Sequence, residues 1–254
     1  MPAAIKPYRI FSLGDAAITV DFGNIINEAI NQKVLNLFYQ LQDNPLLGMT
    51  EAVPAYSSLT IYYDAFAVSK KITGGKPVFE FMSAQLEERL SQPLPETDRP
   101  SRLVSIPVCY EKEFAPDIEY LAKEKNMAVE ELIHIHSSKQ YRVYMLGFMP
   151  GFSYMGEVDE KISFPRKAKP VTVAAGSVGI AGRQTGIYPL ASPGGWQIIG
   201  RTPLKLFKAS PKPSLQKSSG SSANEKAIEE PFCLLHPGDT VQFTSISKNE
   251  FENY

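Results

Sequence analysis

The sequence predicts an α+β protein in two parts, a small sheet with helices on one side followed by a larger unit of short strands and tight turns. Three observations lead there. Over the first ninety residues apolar positions alternate, then recur at three- and four-residue steps, then alternate again, in the order β-β-α-β-β-α. A polar run with three prolines then breaks the pattern. Beyond it, Gly147–Phe207 holds 10 of the chain's 17 glycines, 6 of its 20 prolines and its only tryptophan, Trp196. Short strands joined by tight turns need that density of turn formers, and helices do not tolerate it.

In chain order, Arg9–Gly23 reads as two short strands about a Gly14-Asp15 turn. From Asn27, the expected N-cap, Ile30, Val34, Leu37, Phe38 and Leu41 mark one face of an amphipathic helix, which Asn44-Pro45 and Gly48 close. Thr50–Val53 and Leu59–Tyr63 are expected strands joined by a turn at Pro54. Gly74-Gly75 precedes a second helix with Phe79, Met82, Leu86 and Leu90 on one face. These elements make a first domain over residues 1–91. Residues 92–101, polar and aperiodic, are the expected linker. The second domain, 102–254, opens with the strand Leu103–Cys109. Two short helices follow, Pro116–Lys125 and Val129–Ile135, split at Asn126-Met127, and then the strand Tyr141–Leu146 feeds the glycine-rich stretch. Residues 208–230, rich in Ser, Lys, Pro and Glu, are expected to form a mobile surface loop. That loop interrupts the domain, because the apolar run Phe232–Leu235, a Pro237-Gly238-Asp239 turn and the strand Thr240–Thr244 come after it.

Composition narrows the function classes. A hydrophobic share of 43% and a net charge of −1 describe a globular chain with no global electrostatic case for nucleic acid or an anionic membrane. No window approaches the roughly 20 apolar residues of a membrane span, and the N-terminus lacks a signal-peptide pattern. Cys109 and Cys233 lie far apart in apolar runs and read as buried free thiols of a reducing compartment. The expected location is the cytoplasm.

Motifs exclude more than they assign. After Gly182 comes Arg183-Gln184, so no Walker A spacing exists, and no G-x-G-x-x-G is present. ATP binding by this chain is not argued by its residues. His134 and His136, two apart, fall on different sides of a helix with no Cys near them, so no metal site is expected. His236 reads as a surface loop residue. No G-x-S-x-G elbow is present, and Cys109 sits in an apolar strand without basic neighbours, so its thiol is expected to be inert.

What remains is a set of groups suited to recognition: Arg142, Arg166, Arg183, Gln184, Thr185, Tyr188, Trp196 and Arg201. Guanidinium forks match carboxylates, and Gln and Thr match amides. Such a set would hold a small acidic amide or an acidic patch on a partner. Each arginine alone reads equally as a surface ion pair of under about 1 kcal/mol, and Trp196 as a core aromatic at a barrel corner. The glycine-rich stretch itself reads either as a rigid recognition surface or as a small barrel with many tight corners.

The segments YRVYMLGFMPGFSYMG, FPRKAKPVTVAAGSVGIAGRQTGIYPLASPGGWQIIGRTPLKLF and HPGDTVQF closely resemble the B component of the bacterial 5-oxoprolinase complex, a family also called allophanate hydrolase subunit 1 or KipI. The resemblance covers nearly the whole chain. It implies a C-terminal cyclophilin-like β-barrel behind the N-terminal α+β domain. It also implies a part in an ATP-dependent assembly that opens 5-oxo-L-proline to L-glutamate, with the C component as direct partner and the A component as a further one. A related member resembles an inhibitor of a sensor histidine kinase, so the fold also serves as a pure binder. Prolyl isomerase activity, suggested by the barrel alone, is not expected, since fold does not fix function. His136, Gln184, Thr185, Tyr188, Trp196 and Arg201 fall on the family's motif positions. Arg183 stands where that family has a small residue and is expected to fill or recharge the groove.

Overall fold

A computed structural model describes residues 7–93, 101–208 and 232–254. Most of the expected linker 92–101 and nearly all of the expected loop 208–230 lie outside the described residues. The chain divides into two compact units, Met1–Arg102 and Leu103–Tyr254.

In the first unit the elements are β1 (Arg9–Ser12), β2 (Ala17–Asp21), α1 (Glu28–Asp43), β3 (Met49–Pro54), β4 (Ser58–Tyr63), α2 (Ala65–Ser69) and α3 (Val78–Ser91). The strands form one antiparallel sheet in the order β1-β2-β4-β3. Alternation sends Ile18 and Val20 of β2 and Leu59, Ile61 and Tyr63 of β4 to one face. There they bury against Val34, Leu37 and Leu41 of α1 and Met82 and Leu86 of α3. Asn27 caps α1 as its position suggests, its side chain accepting from the amide of Ile30 at 3.1 Å. Helix α2 was not legible: five residues are too few for periodicity, and only the cap, Asp64 accepting from the amide of Ala67 at 2.9 Å, marks it.

The second unit contains β5 (Leu103–Cys109), α4 (Ile118–Glu124), α5 (Val129–Ser138), β6 (Gln140–Leu146), β7 (Ser153–Gly156), a 3-10 turn (Glu160–Ile162), β8 (Val171–Val173), β9 (Ser177–Ala181), β10 (Gln184–Ile187), β11 (Ser192–Gly194), β12 (Gln197–Arg201), β13 (Thr240–Ile246) and α6 (Lys248–Glu252). Seven strands close a barrel in the order β10-β7-β6-β13-β5-β12-β9, while β8 and β11 form a separate ribbon. Strand β13 lies parallel to β5 from Thr240↔Leu103 to Ile246↔Cys109 and antiparallel to β6. The architecture is thus α+β, a small sheet followed by a closed barrel.

Val143, Met155, Val178, Ile180, Ile187, Val241 and Phe243 fill the barrel core together with Leu121 of α4 and Leu132 of α5. The split between α4 and α5 falls where Asn126-Met127 places it. Asn126 takes φ 53°, its amide reaches the carbonyl of Lys123, and the amide of Met127 reaches that of Ala122, both at 3.0 Å. This left-handed close satisfies the last carbonyls of α4, and Asn tolerates it better than most residues. The run Phe232–Leu235 is reduced to one bridge, Cys233 to Phe207. Helix α6, opened by a capping box of Ser247 and Glu250, is again too short to read from periodicity.

Candidate functional site

The wall of the barrel formed by β6, β7, β10 and β9 sorts the predicted residues by strand alternation. Thr185 and Ile187 of β10 point inward, so Gln184 and Gly186 point outward. Across the ladder Gln184 lies opposite Gly156, which lies opposite Arg142. The half-buried Arg142 and Gln184 therefore share the outer face, two strand spacings or about 10 Å apart at Cα, with no side chain on the glycine between them. One row further along the same face are Tyr154, Gly186 and Gly179.

Trp196 lies over that second row. A Cβ on Gly186 would come 3.0 Å from Cζ3 of the indole and 2.8 Å from the carbonyl oxygen of Ser153, and one on Gly179 would come 3.1 Å from Cβ of Trp196. What approaches the bare backbone here is the protein's own indole. Around it Phe152 meets Tyr188 at 5.1 Å, Tyr154 at 4.8 Å and Trp196 at 5.4 Å between ring centroids, all edge to face. Gly194 leaves room for the hydroxyl of Tyr188 under the β8–β11 ribbon. Phe152, Tyr188 and Trp196 are thus buried in a second, outer core with Val173, Ala181 and Ile198. The guanidinium carbon of the exposed Arg166 stands 5.9 Å from the Trp196 ring centroid, within cation–π range. Burial pushes the hydroxyls of Tyr154 and Tyr188 up, and the charge of Arg166 opposes that rise.

His136 and Thr185 occupy the other side of the same wall. Both are fully buried. Thr185 Oγ1 donates to the carbonyl of Gly179 at 3.1 Å, so toward His136 Nε2, also at 3.1 Å, it acts as acceptor. Nε2 then carries the imidazole proton, and Nδ1 accepts from the Tyr110 hydroxyl at 2.8 Å. The ring stacks on Phe243 at 4.6 Å, and Tyr141 donates to the His136 carbonyl at 2.9 Å. Burial alone lowers the His136 pKa to about 3. A neutral imidazole with both nitrogens engaged holds α5 to the barrel and has no route to a ligand on the wall.

Arg201 stands apart, at the end of β12. Its Nε donates to the carbonyl of Ala175 at 2.8 Å and its guanidinium faces Phe251 of α6. Arg183, exposed beside Gln184, pairs with Glu157 at 2.7 Å, so its charge is met at the border of the wall. The structure therefore gathers Arg142, Arg166, Gln184, Tyr188 and Trp196 on one outer wall, places His136 and Thr185 behind it, and leaves Arg201 elsewhere. The carboxylates bordering the wall are engaged, Glu157 with Arg183 and Asp117 with Lys167 at 2.6 Å. Such a wall can bind and orient an acidic or amide group.

Trp196 lies over Gly179 and Gly186 and Tyr188 over Gly194, so at these three glycines the bare backbone meets the protein's own aromatic side chains. Among the described residues no group of three or more His, Cys, Asp and Glu is placed to hold a metal. Cys109 and Cys233 are free thiols; Cys109 is buried, which pushes its pKa up, and Cys233 is half-buried. No helix among the described residues is long and apolar enough to cross a membrane. Sequence reasoning missed an open cavity of about 540 Å³ at the end of α4 and α5, lined by Tyr110, Glu111, Lys112, Glu119, Glu130 and Ile246 among others. Its residues come from four separate elements with no shared motif, and its three carboxylates against one lysine oppose an acidic ligand.

Fold and wall together define a barrel domain with a glycine-floored aromatic face, and likeness to known proteins says which kind. Residues 8–216 match the carboxyltransferase domain, subdomains C and D. The 5-oxoprolinase B component of Bacillus subtilis (strain 168) is 41% identical over 249 residues, 97% of this chain and 96% of that protein. Its counterpart of the same name in Escherichia coli O157:H7 is 34% identical, over 92% of this chain and 94% of its own. Among solved structures, TTHA0988 superposes with a TM-score of 0.69 at 31% identity, covering 91% of this chain and 40% of that one. The chain belongs to the family of 5-oxoprolinase B components within the carboxyltransferase C and D domains.

Proposed function

We propose that this chain is the non-autonomous B component of an ATP-dependent assembly that hydrolyses the lactam C–N bond of 5-oxo-L-proline to give L-glutamate. The observation that carries the reading is the 41% identity to a protein named as the B component of 5-oxoprolinase over 97% of the chain. The wall supports it chemically. 5-Oxoproline carries a carboxylate and a ring amide, and Arg142, Arg166 and Gln184 offer guanidinium and carboxamide partners for those groups. In this reading the chain binds and orients, while the nucleophile, the proton-transferring groups and the ATP site belong to the partner components A and C. Such division fits a sealed, neutral His136.

Reconstitution tests it. The A and C components with this chain, ATP and 5-oxoproline should release glutamate, and leaving this chain out should abolish release. Arg142→Ala and Gln184→Ala should each lower kcat/KM at least about tenfold, the loss expected for one charged or amide contact. Unchanged rates in both variants would remove the wall from the reaction. Inhibition of a sensor histidine kinase, the alternative within the same family, predicts instead that the chain alone suppresses autophosphorylation of such a kinase and that glutamate release does not require it.

A further inference from the structure

Phe148 sets the problem. It is a bulky aromatic held at φ 67° and exposed to 66%. A left-handed backbone costs a non-glycine residue roughly 1–2 kcal/mol. Among the described residues the ring meets Phe152 edge to face at 5.6 Å and otherwise stands largely exposed. Gly147 precedes it and Gly151 follows, so a strain-free residue at the same turn was chemically available. Strain kept at an exposed aromatic points to a task outside the chain.

The surroundings define the task. Phe152, beneath Phe148, belongs to the buried outer core with Tyr188 and Trp196, and partly buried Met149 and Tyr154 pack on the same core. The ribbon over Tyr188 exposes Val171 at 46%, and Leu190 just beyond Tyr188 is exposed at 45%. The loop running past Trp196, tied by the amide of Lys167 to the carbonyl of Gly195 at 2.7 Å, carries Arg166, Lys167 and Lys169. Lys167 is neutralised by Asp117, while Arg166 and Lys169 are exposed. The result is an exposed aromatic over a buried aromatic core with a basic margin, the composition of a protein interface and its aromatic anchor. TTHA0988 holds the matched region within a chain of which it makes up only 40%, so in that relative the same fold is joined to further protein.

We propose that the face centred on Phe148 is where a second folded protein docks, one whose contact surface is apolar at its centre and carries carboxylates opposite Arg166 and Lys169. This rests on the multi-component reading above and deepens it: Arg142 and Gln184 then lie on the same barrel wall as the docked partner, which would close over them and supply the missing chemistry.

The experiment measures binding of the C component to the full chain by titration calorimetry, beside thermal unfolding of each variant. Phe148→Gly removes the ring and relieves the φ. It is expected to weaken binding at least about tenfold, the loss of an anchoring aromatic, without lowering Tm. A residue present only for the fold would instead lower Tm and leave affinity alone. Arg166→Glu should weaken binding more than Arg166→Gln, whereas Phe66→Ala, an exposed aromatic of the first unit, should bind as the parent does. If the parent binds the C component and Phe148→Gly binds equally, the docking face is wrong and the multi-component reading stands. If the parent does not bind the C component at all, the multi-component reading itself fails. Self-association of the parent that Phe148→Gly abolishes would assign the face to a second copy and overturn the proposal.

Discussion

At neutral pH the imidazole of His136 is uncharged, because a proton added there would sit where no water reaches it, between the hydroxyls of Tyr110 and Thr185. The unfolded chain has no such constraint and its histidine titrates near 6.5. Between about 3 and 6.5 the unfolded state therefore binds more protons than the folded one, and stability must rise with pH across that range. The contribution is whole above pH 6.5 and is lost as pH falls toward 3, with a limiting slope of about 1.4 kcal/mol per pH unit. Denaturant unfolding at pH 7 and pH 5 should differ by roughly 2 kcal/mol from this residue, and His136→Gln should flatten that part of the profile. Thr185→Val leaves Nε2–H with nothing to donate to and should cost about 1–3 kcal/mol, read as a lower Tm. None of this was legible in the sequence. A histidine and a threonine 49 residues apart announce neither the barrel that joins them nor the tautomer that Gly179 imposes. Their position in a shared motif carried the same weight whether they faced a ligand or the core.

The glycines of β9 and β10 show the converse. Their density signalled that something approaches bare backbone, and the structure supplies it: Gly179 and Gly186, paired across the ladder, form the floor on which Trp196 lies. Gly186→Ala would push a methyl between the Ser153 carbonyl and the indole, and overpacking of that kind costs about 1–3 kcal/mol. Because Trp196 is the only tryptophan, its fluorescence reports the displacement directly: a red-shifted emission together with a lower Tm is expected. Periodicity served the elements well where they were long. Helix α1, with its Asn27 cap, and the strands β5 and β6 follow from residue patterns alone, whereas α2 and α6, five residues each, hold too few turns to show a period. The site was half legible. Arg142, Gln184 and Trp196 come together on one wall through strand register, which no spacing rule foretells, and Arg201 is carried away from them by the length of β12.

On the scale of the molecule, each unit holds its own core, one built from Ile18, Leu59 and Met82 among others and one from the barrel residues around Phe243. Fragments 1–102 and 103–254 are therefore expected to unfold cooperatively when made separately, with sigmoidal denaturant curves and dispersed amide spectra; a gradual, featureless transition for either would show that its core depends on the other. The barrel differs from the sheet in one respect that matters during synthesis. Its sixth and fifth strands are not neighbours: β13 lies between them, hydrogen-bonded to both, yet residues 240–246 leave the ribosome about a hundred residues after β6 has formed. Until then the nascent chain presents two unpaired strand edges flanking a gap, an invitation to edge-on association with neighbouring chains. A chain stopped just short of Thr240 would thus leave an open sheet with a sticky slot, and shielding that slot until residues 240–246 emerge is work for the cell's chaperones.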